Sequence, residues 1–422
     1  MTEAGGTTRK GHVCILRHSF YPAELNVRRE AEALLEDGYQ VHVVCLRGPG
    51  QAPNEDVGGI EVRRLPVGHR RGRIARYLIE YNAFFLLASF DLFRLHRRCR
   101  LRAVQVNTMP DYLVFATLLP KLAGAKIVLH LHEPMPELFA TLFVRWYHRP
   151  FVWAIRLAER ASLAYADHAI TVTREMRANF ARRGADADKI TVIVNVPDDS
   201  LFRLDRHQSL AERVKALKQE DKIFRVLCHG ASEERYGLEL IVRAVAGLKK
   251  EIPGIQFRFM GQADGVARLL ALARALGAED HVTYLGFVPL ETMIEELLAA
   301  DVTVVPIQRN PYSELVHTNK MYEYVALERP VVASRLASVA AYFPDDTLLY
   351  FEPGDAAALA ERLRSAYRHP EDLHRRVRAT TAVYEAHRWQ REKRTYLSVY
   401  NALLGSRDRR DSAAGAAAGA TS

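Results

Sequence analysis

Lys320 and Glu323 stand three residues apart in the run His317-Thr318-Asn319-Lys320-Met321-Tyr322-Glu323-Tyr324, which follows a polar loop after the apolar stretch Val302 to Ile307. The apolar stretch reads as a buried strand, the residues from about Lys320 as a helix, and Pro330 to Ala333 as the next strand. A helix that opens after a parallel strand offers free N–H groups and the positive end of its dipole beyond the sheet. Lys320 adds a full charge there, and Glu323 lies one turn further on the same face. A cation with backbone donors suits a diphosphate. A carboxylate one turn away suits a ribose diol. The arrangement would hold a nucleoside diphosphate at both ends without a metal. The same unit also reads as an ordinary strand–helix–strand whose Lys320 and Glu323 form a solvated pair.

A second concentration of reactive residues is Leu129-His130-Leu131-His132-Glu133-Pro134-Met135-Pro136-Glu137, after a strand at Lys126 to His130. His132 and Glu133 fall beyond the carboxyl end of that strand, on a loop that Pro134 and Pro136 stiffen. Plain loop histidines are the alternative. Asn107-Thr108-Met109-Pro110-Asp111 ends another strand, and Asp111 suits a helix cap. Asp186-Ala187-Asp188 has metal-ligand spacing, but it lies in a turn before Lys189-Ile190 and reads as structural.

The elements that must position these residues alternate. Strands are expected at His12 to Arg17, Gln40 to Leu46, Val104 to Val106, Lys126 to His130, His168 to Val172 and Ile190 to Val194. Helices at Asn26 to Asp37, Tyr112 to Leu122 and Arg174 to Arg183 fall between them. A polar connection runs from Asn195 to about Asp221. A second series has strands at Phe224 to His229, Gln256 to Met260, His281 to Leu285, Val302 to Val305 and Pro330 to Val332. This alternation predicts parallel sheets covered on both faces, with ligands beyond the carboxyl ends of the strands.

The chain has 422 residues, 49% hydrophobic and 26% charged, as for an ordinary two- or three-domain protein. Its four cysteines have no paired spacing and suit a reducing compartment rather than disulfides or zinc. Met1 to Lys10 lacks an apolar stretch, and no apolar run is long enough to span a bilayer. The expected location is the cytoplasm. The net charge of +9 is concentrated: eleven arginines against three acids lie between Ile60 and Arg102, around the aromatic-rich stretch Tyr77 to Phe93. Basic flanks on such a helix suit an anionic membrane surface, here the inner face of the plasma membrane. A core helix with a solvated Arg-rich end is the alternative, and it is slightly favoured. Nucleic acid is not favoured, because the aromatics are not interleaved with the arginines.

Taken in order, these motifs resemble those of the retaining glycosyltransferases of family 4, the glycogen-synthase-like group with the GT-B fold. The resemblance extends to about Leu404. It implies an α/β protein with two Rossmann-like, doubly wound domains facing across a cleft: an acceptor domain at 1–200, a nucleotide-sugar donor domain at 201–388, and a terminal helix crossing back to the first domain. Trp389, Tyr396, Tyr400 and Leu403 near one stripe make 389–404 that amphipathic helix, and the Ala, Gly, Ser and Arg tail at 405–422 is expected to be disordered.

The run from Thr318 to Ser334 resembles the family's "T-N-K-x-x-E-Y-x-A-x-x-x-P-V-x-A-S" segment. It implies donor contacts from Thr318, Asn319, Lys320 and Glu323. His132, Glu133 and Glu137 match a "D-x-H-[DE]-x-x-P-E" segment, with His130 where Asp is common. That match implies donor-sugar contact for His132 and acceptor-facing acids. Arg17-His18-Ser19-Phe20-Tyr21-Pro22 with Val27-Arg28-Arg29-Glu30 resembles the opening "R-H-x-x-Y-P … V-R-R-E". With Asp111 of the "H-x-x-P-D"-like loop, it places His18, Tyr21 and Asp111 on the acceptor side.

The family's "G-R-x-x-x-x-K-G" aligns on Gly230 and Gly237, but Ala231 and Tyr236 replace its two cations. Glu234 to Gly237 match an "E-R-Y-G" subset, which makes Arg235 the diphosphate cation with Lys320. Gly261 and Gly286-Phe287 fit the base-binding loops. Glu314 is one residue out of register for the family's "E-x7-E". The implied activity is metal-independent, hexosyltransferase-type transfer from a nucleoside-diphosphate sugar, UDP first, to a glycan or lipid-linked acceptor, with no cofactor. A sugar-nucleotide epimerase of similar fold and a non-catalytic nucleotide-sugar-binding relative remain as alternatives.

Overall fold

A computed structural model describes residues 10–68, 74–143 and 149–419. The chain divides into two units, Met1–Asn195 with Gln390–Ser422, and Val196–Trp389. Largely apolar stretches build the central strands of each sheet. Val13 to Leu16, for example, are at most 1% exposed, as expected of strands covered on both faces. The first unit holds β1 (His12–Phe20), β2 (Gln40–Leu46), β3 (Asn54–Val57), β4 (Ile60–Leu65), β5 (Ala103–Asn107), β6 (Lys126–Leu131), β7 (His168–Thr171) and β8 (Ile190–Val192), in the order β3-β4-β2-β1-β5-β6-β7-β8. All pairs are parallel except β3 with β4. The second unit holds β9 (Phe224–His229), β10 (Ile255–Met260), β11 (Val282–Tyr284), β12 (Val302–Val305), β13 (Val331–Ser334) and β14 (Leu349–Phe351), all parallel, in the order β11-β10-β9-β12-β13-β14.

Both sheets are doubly wound, and each reverses direction once, between β1 and β5 in the first and between β9 and β12 in the second. The crevice beyond the carboxyl ends at such a point is where ligands bind in these sheets. His18 to Tyr21, Asn107 to Asp111 and Gly230 all lie at these ends.

Several elements differ from the sequence expectations. The stretch before Asp221 is not a plain polar connection, because Gln208–Glu220 is a helix. Among its described side chains only Val214 is strongly buried, so its apolar periodicity is faint. The expected helix Tyr112 to Leu122 divides into a 3-10 segment Asp111–Thr117 and an α-helix Leu118–Leu122. Thr117 Oγ1 donates to the Val114 carbonyl at 2.6 Å at the junction, a local bond that competes with the α-helical one. The terminal helix runs Trp389–Gly419, past Leu404 into the tail expected to be disordered. Its alanines favour helix strongly enough to carry the backbone on, and residues 420–422 lie outside the described residues.

Tyr77 to Phe93 falls within one helix, Ile74–Cys99. Phe84, Ala88, Leu92 and Leu95 face the core, while Ile79, Leu86 and Phe90 are exposed. The basic region around it is partly turned inward. Arg63 pairs with Asp91 at 2.7 Å, and the buried Arg64 pairs with Glu55 at 2.7 Å. Arg98 pairs with Glu61, and Arg102 donates to the carbonyls of Lys10 and Leu404. Arg70, Arg71, Arg73 and the side chain of Arg76 lie outside the described residues. No helix among the described residues is long and apolar enough to cross a membrane.

Candidate active site

In the first unit, the carboxyl ends of β5 and β6 and the helix Leu25–Glu36 enclose a polar network centred on Glu30, which is 2% exposed. Gln105 Nε2 and Asn107 Nδ2 donate to Glu30 Oε2 at 2.7 and 2.9 Å. His130 Nδ1 lies 3.0 Å from Glu30 Oε1. Burial pushes the Glu30 carboxyl up, but His130, the Asn107 amide and Arg29 together hold it below its ordinary value. The amide of Asn107 also reaches His132 Nε2 at 3.3 Å. Nε2 therefore accepts, and the proton of the neutral ring sits on Nδ1. The His132 ring stacks on His130 with centroids 4.0 Å apart. Burial, then the charges of His130, Arg17 and Arg29, hold its pKa well below the ordinary histidine value, so it is neutral at pH 7.

In the sequence reading Glu30 and Asn107 figure only as motif positions, and Gln105 not at all. A signal was present all the same: Glu30 lies on the buried stripe of its helix with Val27 and Leu34, where a carboxylate must find partners.

The other predicted residues of this unit do different things. Glu133 is half-buried on the loop after β6. His18 is buried edge-on to Tyr81 and Phe84, at 4.8 and 4.9 Å. Tyr21 is 2% exposed. Asp111 is buried, neither of its oxygens has a hydrogen-bond partner among the described residues, and burial pushes it up to about 7. Glu137 accepts from Arg183 and from Asn179, inside the unit. Arg28 pairs along its own helix with Glu32, whereas Arg29 donates to Asn195 at 2.8 Å. Asp186 caps its turn by accepting from Asp188 N–H at 3.0 Å, which is the structural role expected of it.

In the second unit, Lys320 occupies the first turn of the helix Asn319–Ala326, with Thr318 as its cap. The Tyr324 hydroxyl accepts from His229 N–H at 3.0 Å and ties this helix to the end of β9. Lys320 is 6% exposed, and its Nζ makes no hydrogen bond among the described residues. It lies 4.8 Å from the Tyr236 ring centroid. Arg235 lies at the same distance from that ring and donates to Glu233 at 2.9 Å. Tyr236, at a cation position of the common family pattern, is thus the aromatic partner of both remaining cations.

Gly230 leaves the room that Lys320 fills, because a Cβ there would stand 3.3 Å from Nζ. Gly261 has φ +137° and passes so close to Gly230 that a Cβ would meet the Gly230 carbonyl oxygen at 2.0 Å. The loops after β9, β10 and β11 are joined by Gly230 N–H to Met260 O and Gly261 N–H to Gly286 O, both 2.9 Å. Phe287, at their rim, is 84% exposed. Glu323 Oε2 lies 2.8 Å from His229 Nε2. The structure thus brings Lys320, Arg235 and Gly230 together around Tyr236 and sets Glu323 beside His229. Glu314 accepts instead from Ala337 N–H at 2.7 Å and pairs with Arg309.

The family described as "Glycosyl transferase 4-like domain" matches residues 23–195, and "Glycosyl transferases group 1" matches residues 209–383. A D-inositol 3-phosphate glycosyltransferase of Acidothermus cellulolyticus is 28% identical over 193 residues, which are 43% of this chain and 41% of that protein. The chain therefore spans under half the length of that relative. Among solved structures, sucrose-phosphate synthase from Thermosynechococcus elongatus superposes with TM-score 0.73 at 18% identity, over 94% of this chain and 100% of that one. HepE of Anabaena, in complex with UDP-glucose, superposes with TM-score 0.69 at 15% identity, over 93% and 100%. These likenesses show the GT-B fold.

Proposed function

Because the chain belongs to the family-4-type glycosyltransferases, we propose that it moves a hexosyl group, with retention, from a nucleoside-diphosphate sugar to a glycan or lipid-linked acceptor without a metal. The carrying observation is Lys320, a buried ammonium with no hydrogen-bond partner among the described residues, at a helix N-terminus. Burying such a charge is costly unless an anion joins it. A diphosphate supplies that anion, and Arg235 adds the second cation. Together they neutralise the charge that the departing nucleoside diphosphate develops. Glu323 takes the ribose hydroxyls, and Phe287 offers a face for the base. The solved complex of HepE with UDP-glucose supports UDP as the nucleotide. In the first unit, neutral His132 keeps Nδ1–H to donate to a hydroxyl of the donor sugar, and Glu133 serves the acceptor.

Titration calorimetry with UDP tests the reading. Lys320→Ala and Arg235→Ala each weaken binding about tenfold to a hundredfold, the worth of one charge-assisted contact, and excess EDTA leaves the wild-type affinity unchanged. Unaltered binding in both variants, or a requirement for manganese or magnesium, sinks it.

A further inference from the structure

Two long helices of the first unit, Ile74–Cys99 and Arg149–Tyr165, both pack against the segment between Asp111 and Leu122. Phe85 meets Tyr112 and Phe115 meets Tyr165 across these contacts. The outer sides of all three elements are apolar. On the first helix Ile79, Leu86 and Phe90 fall on one stripe, with Ile79 71% exposed. On the second, Trp153 is 68% exposed and Leu157 stands one turn on. Leu118, Leu119 and Leu122 lie on the segment between, with Leu122 75% exposed. Scattered exposed leucines are ordinary, but a run of them over three neighbouring helices marks an interaction surface.

The charges are sorted with equal consistency. The segments Ile74–Cys99, Asp111–Leu122, Met135–Leu142 and Arg149–Tyr165 contain five carboxylates, Glu80, Asp91, Asp111, Glu137 and Glu159. Glu80, Asp111, Glu137 and Glu159 are buried, and Asp91 is paired with Arg63. The exposed charges beside the apolar stripes are arginines: Arg94 and Arg97 on the first helix, Arg156 and Arg160 on the second. The guanidinium groups of Arg94 and Arg97 lie 5.4 and 5.8 Å from the ring centroids of Phe90 and Phe93.

We propose that this face docks on an anionic lipid bilayer, its apolar side chains entering the headgroup–acyl boundary and its arginines meeting lipid phosphates. Amphipathic helices with aromatic and aliphatic residues on one face and arginines at its edge bind in this way. A second copy of the chain is the poorer occupant, because a two-fold pairing of this face sets arginine against arginine. The proposal stands on this surface alone and does not depend on the assignment of the donor site.

Sedimentation with vesicles tests it. At low salt the full chain pellets with phosphatidylcholine vesicles that contain phosphatidylglycerol and stays in the supernatant with phosphatidylcholine alone. Added salt releases it, since exposed charges are screened within about 10 Å at 0.1 M. Trp153→Glu and the double reversal Arg156→Glu/Arg160→Glu each lower the partition coefficient more than about tenfold, with unchanged thermal unfolding. Leu217→Glu, on an exposed position of the second unit, leaves partitioning as it was. The proposal is overturned if the wild type ignores the anionic vesicles, or if neither set of variants releases it. It is overturned equally if gel filtration shows a dimer that Trp153→Glu splits, which would make this face an interface between copies.

Discussion

Asp111 and Glu30 are both buried carboxylates, and their surroundings drive them in opposite directions. Asp111 has no hydrogen-bond partner for either oxygen among the described residues, and burial raises it to about 7. Glu30 has three nitrogen neighbours within 3.0 Å and is held below its ordinary value. The signs follow by linkage. The folded chain holds a proton on Asp111 that the unfolded chain releases near pH 4, so this group's stabilising effect is lost as pH rises from about 4 to about 7. Its slope reaches at most about 1.4 kcal/mol per pH unit. Glu30 acts the other way: its contribution is present at neutral pH and is lost as pH falls below the ordinary carboxylate range. Urea unfolding at several pH values separates the two. Asp111→Asn is expected to match the wild type near pH 4 and to exceed its stability at pH 8. A variant less stable than the wild type at pH 8 would mean that the Asp111 carboxylate is held by a partner when ionised.

At the scale of elements, the second-unit site is a set of loop ends locked together by backbone, and two of its glycines make different demands. Gly261 has φ +137°, and a Cβ there would meet the Gly230 carbonyl at 2.0 Å. Gly261→Ala must therefore displace the loop that carries Gly230 and crowds Lys320. Gly286 has φ +85°, but nothing lies within 4 Å of its Cβ position. Gly286→Ala costs about 1–2 kcal/mol for a left-handed non-glycine residue without moving a neighbour. UDP affinity should thus fall more than about tenfold in Gly261→Ala and stay within a few-fold in Gly286→Ala, once unfolding midpoints show both variants folded at the assay temperature. Equal losses in the two would assign the effect to general destabilisation.

The elements that carry these glycines were readable in the sequence, since β9, β10 and β11 are short stretches rich in apolar residues with a glycine at or just beyond their carboxyl ends. Others were hidden for physical reasons. β3 is Asn-Glu-Asp-Val, exposed and charged, and it exists only because β4 pairs with it across Gly58-Gly59. β14 is three residues long and gets its stability from β13. The cation pair was legible as residue types, but its arrangement about Tyr236 was not. Tyr236 stands where the common pattern has a cation, and only the folded 3-10 turn brings both charges to its ring.

Over the whole molecule, the two ends of the chain meet within one unit. Tyr396 and Tyr400 of the terminal helix donate to Gln105 Oε1 at 2.8 and 2.7 Å, and Gln105 Nε2 donates in turn to Glu30 and Asn107. Glu392 accepts from Val194 N–H at 3.1 Å. The periodicity of Trp389 to Leu404 announced an amphipathic helix, but nothing local in the sequence says that its tyrosines support a network built from residues almost 300 positions earlier. The consequence can be measured. Tyr396→Phe/Tyr400→Phe keeps the rings in the core and removes both donors, leaving a buried acceptor on Gln105 unsatisfied at a cost of about 1–3 kcal/mol. Gln105 then keeps only its Nε2 bonds to Glu30 and Asn107, and the oxygen side of its amide loses the two hydroxyls that hold it. Sugar transfer should fall while UDP affinity, which the proposed function assigns to the second unit, stays unchanged. Loss of transfer and UDP affinity together would show that the two hydroxyls stabilise the chain as a whole; unchanged transfer would show that Gln105 is positioned without them.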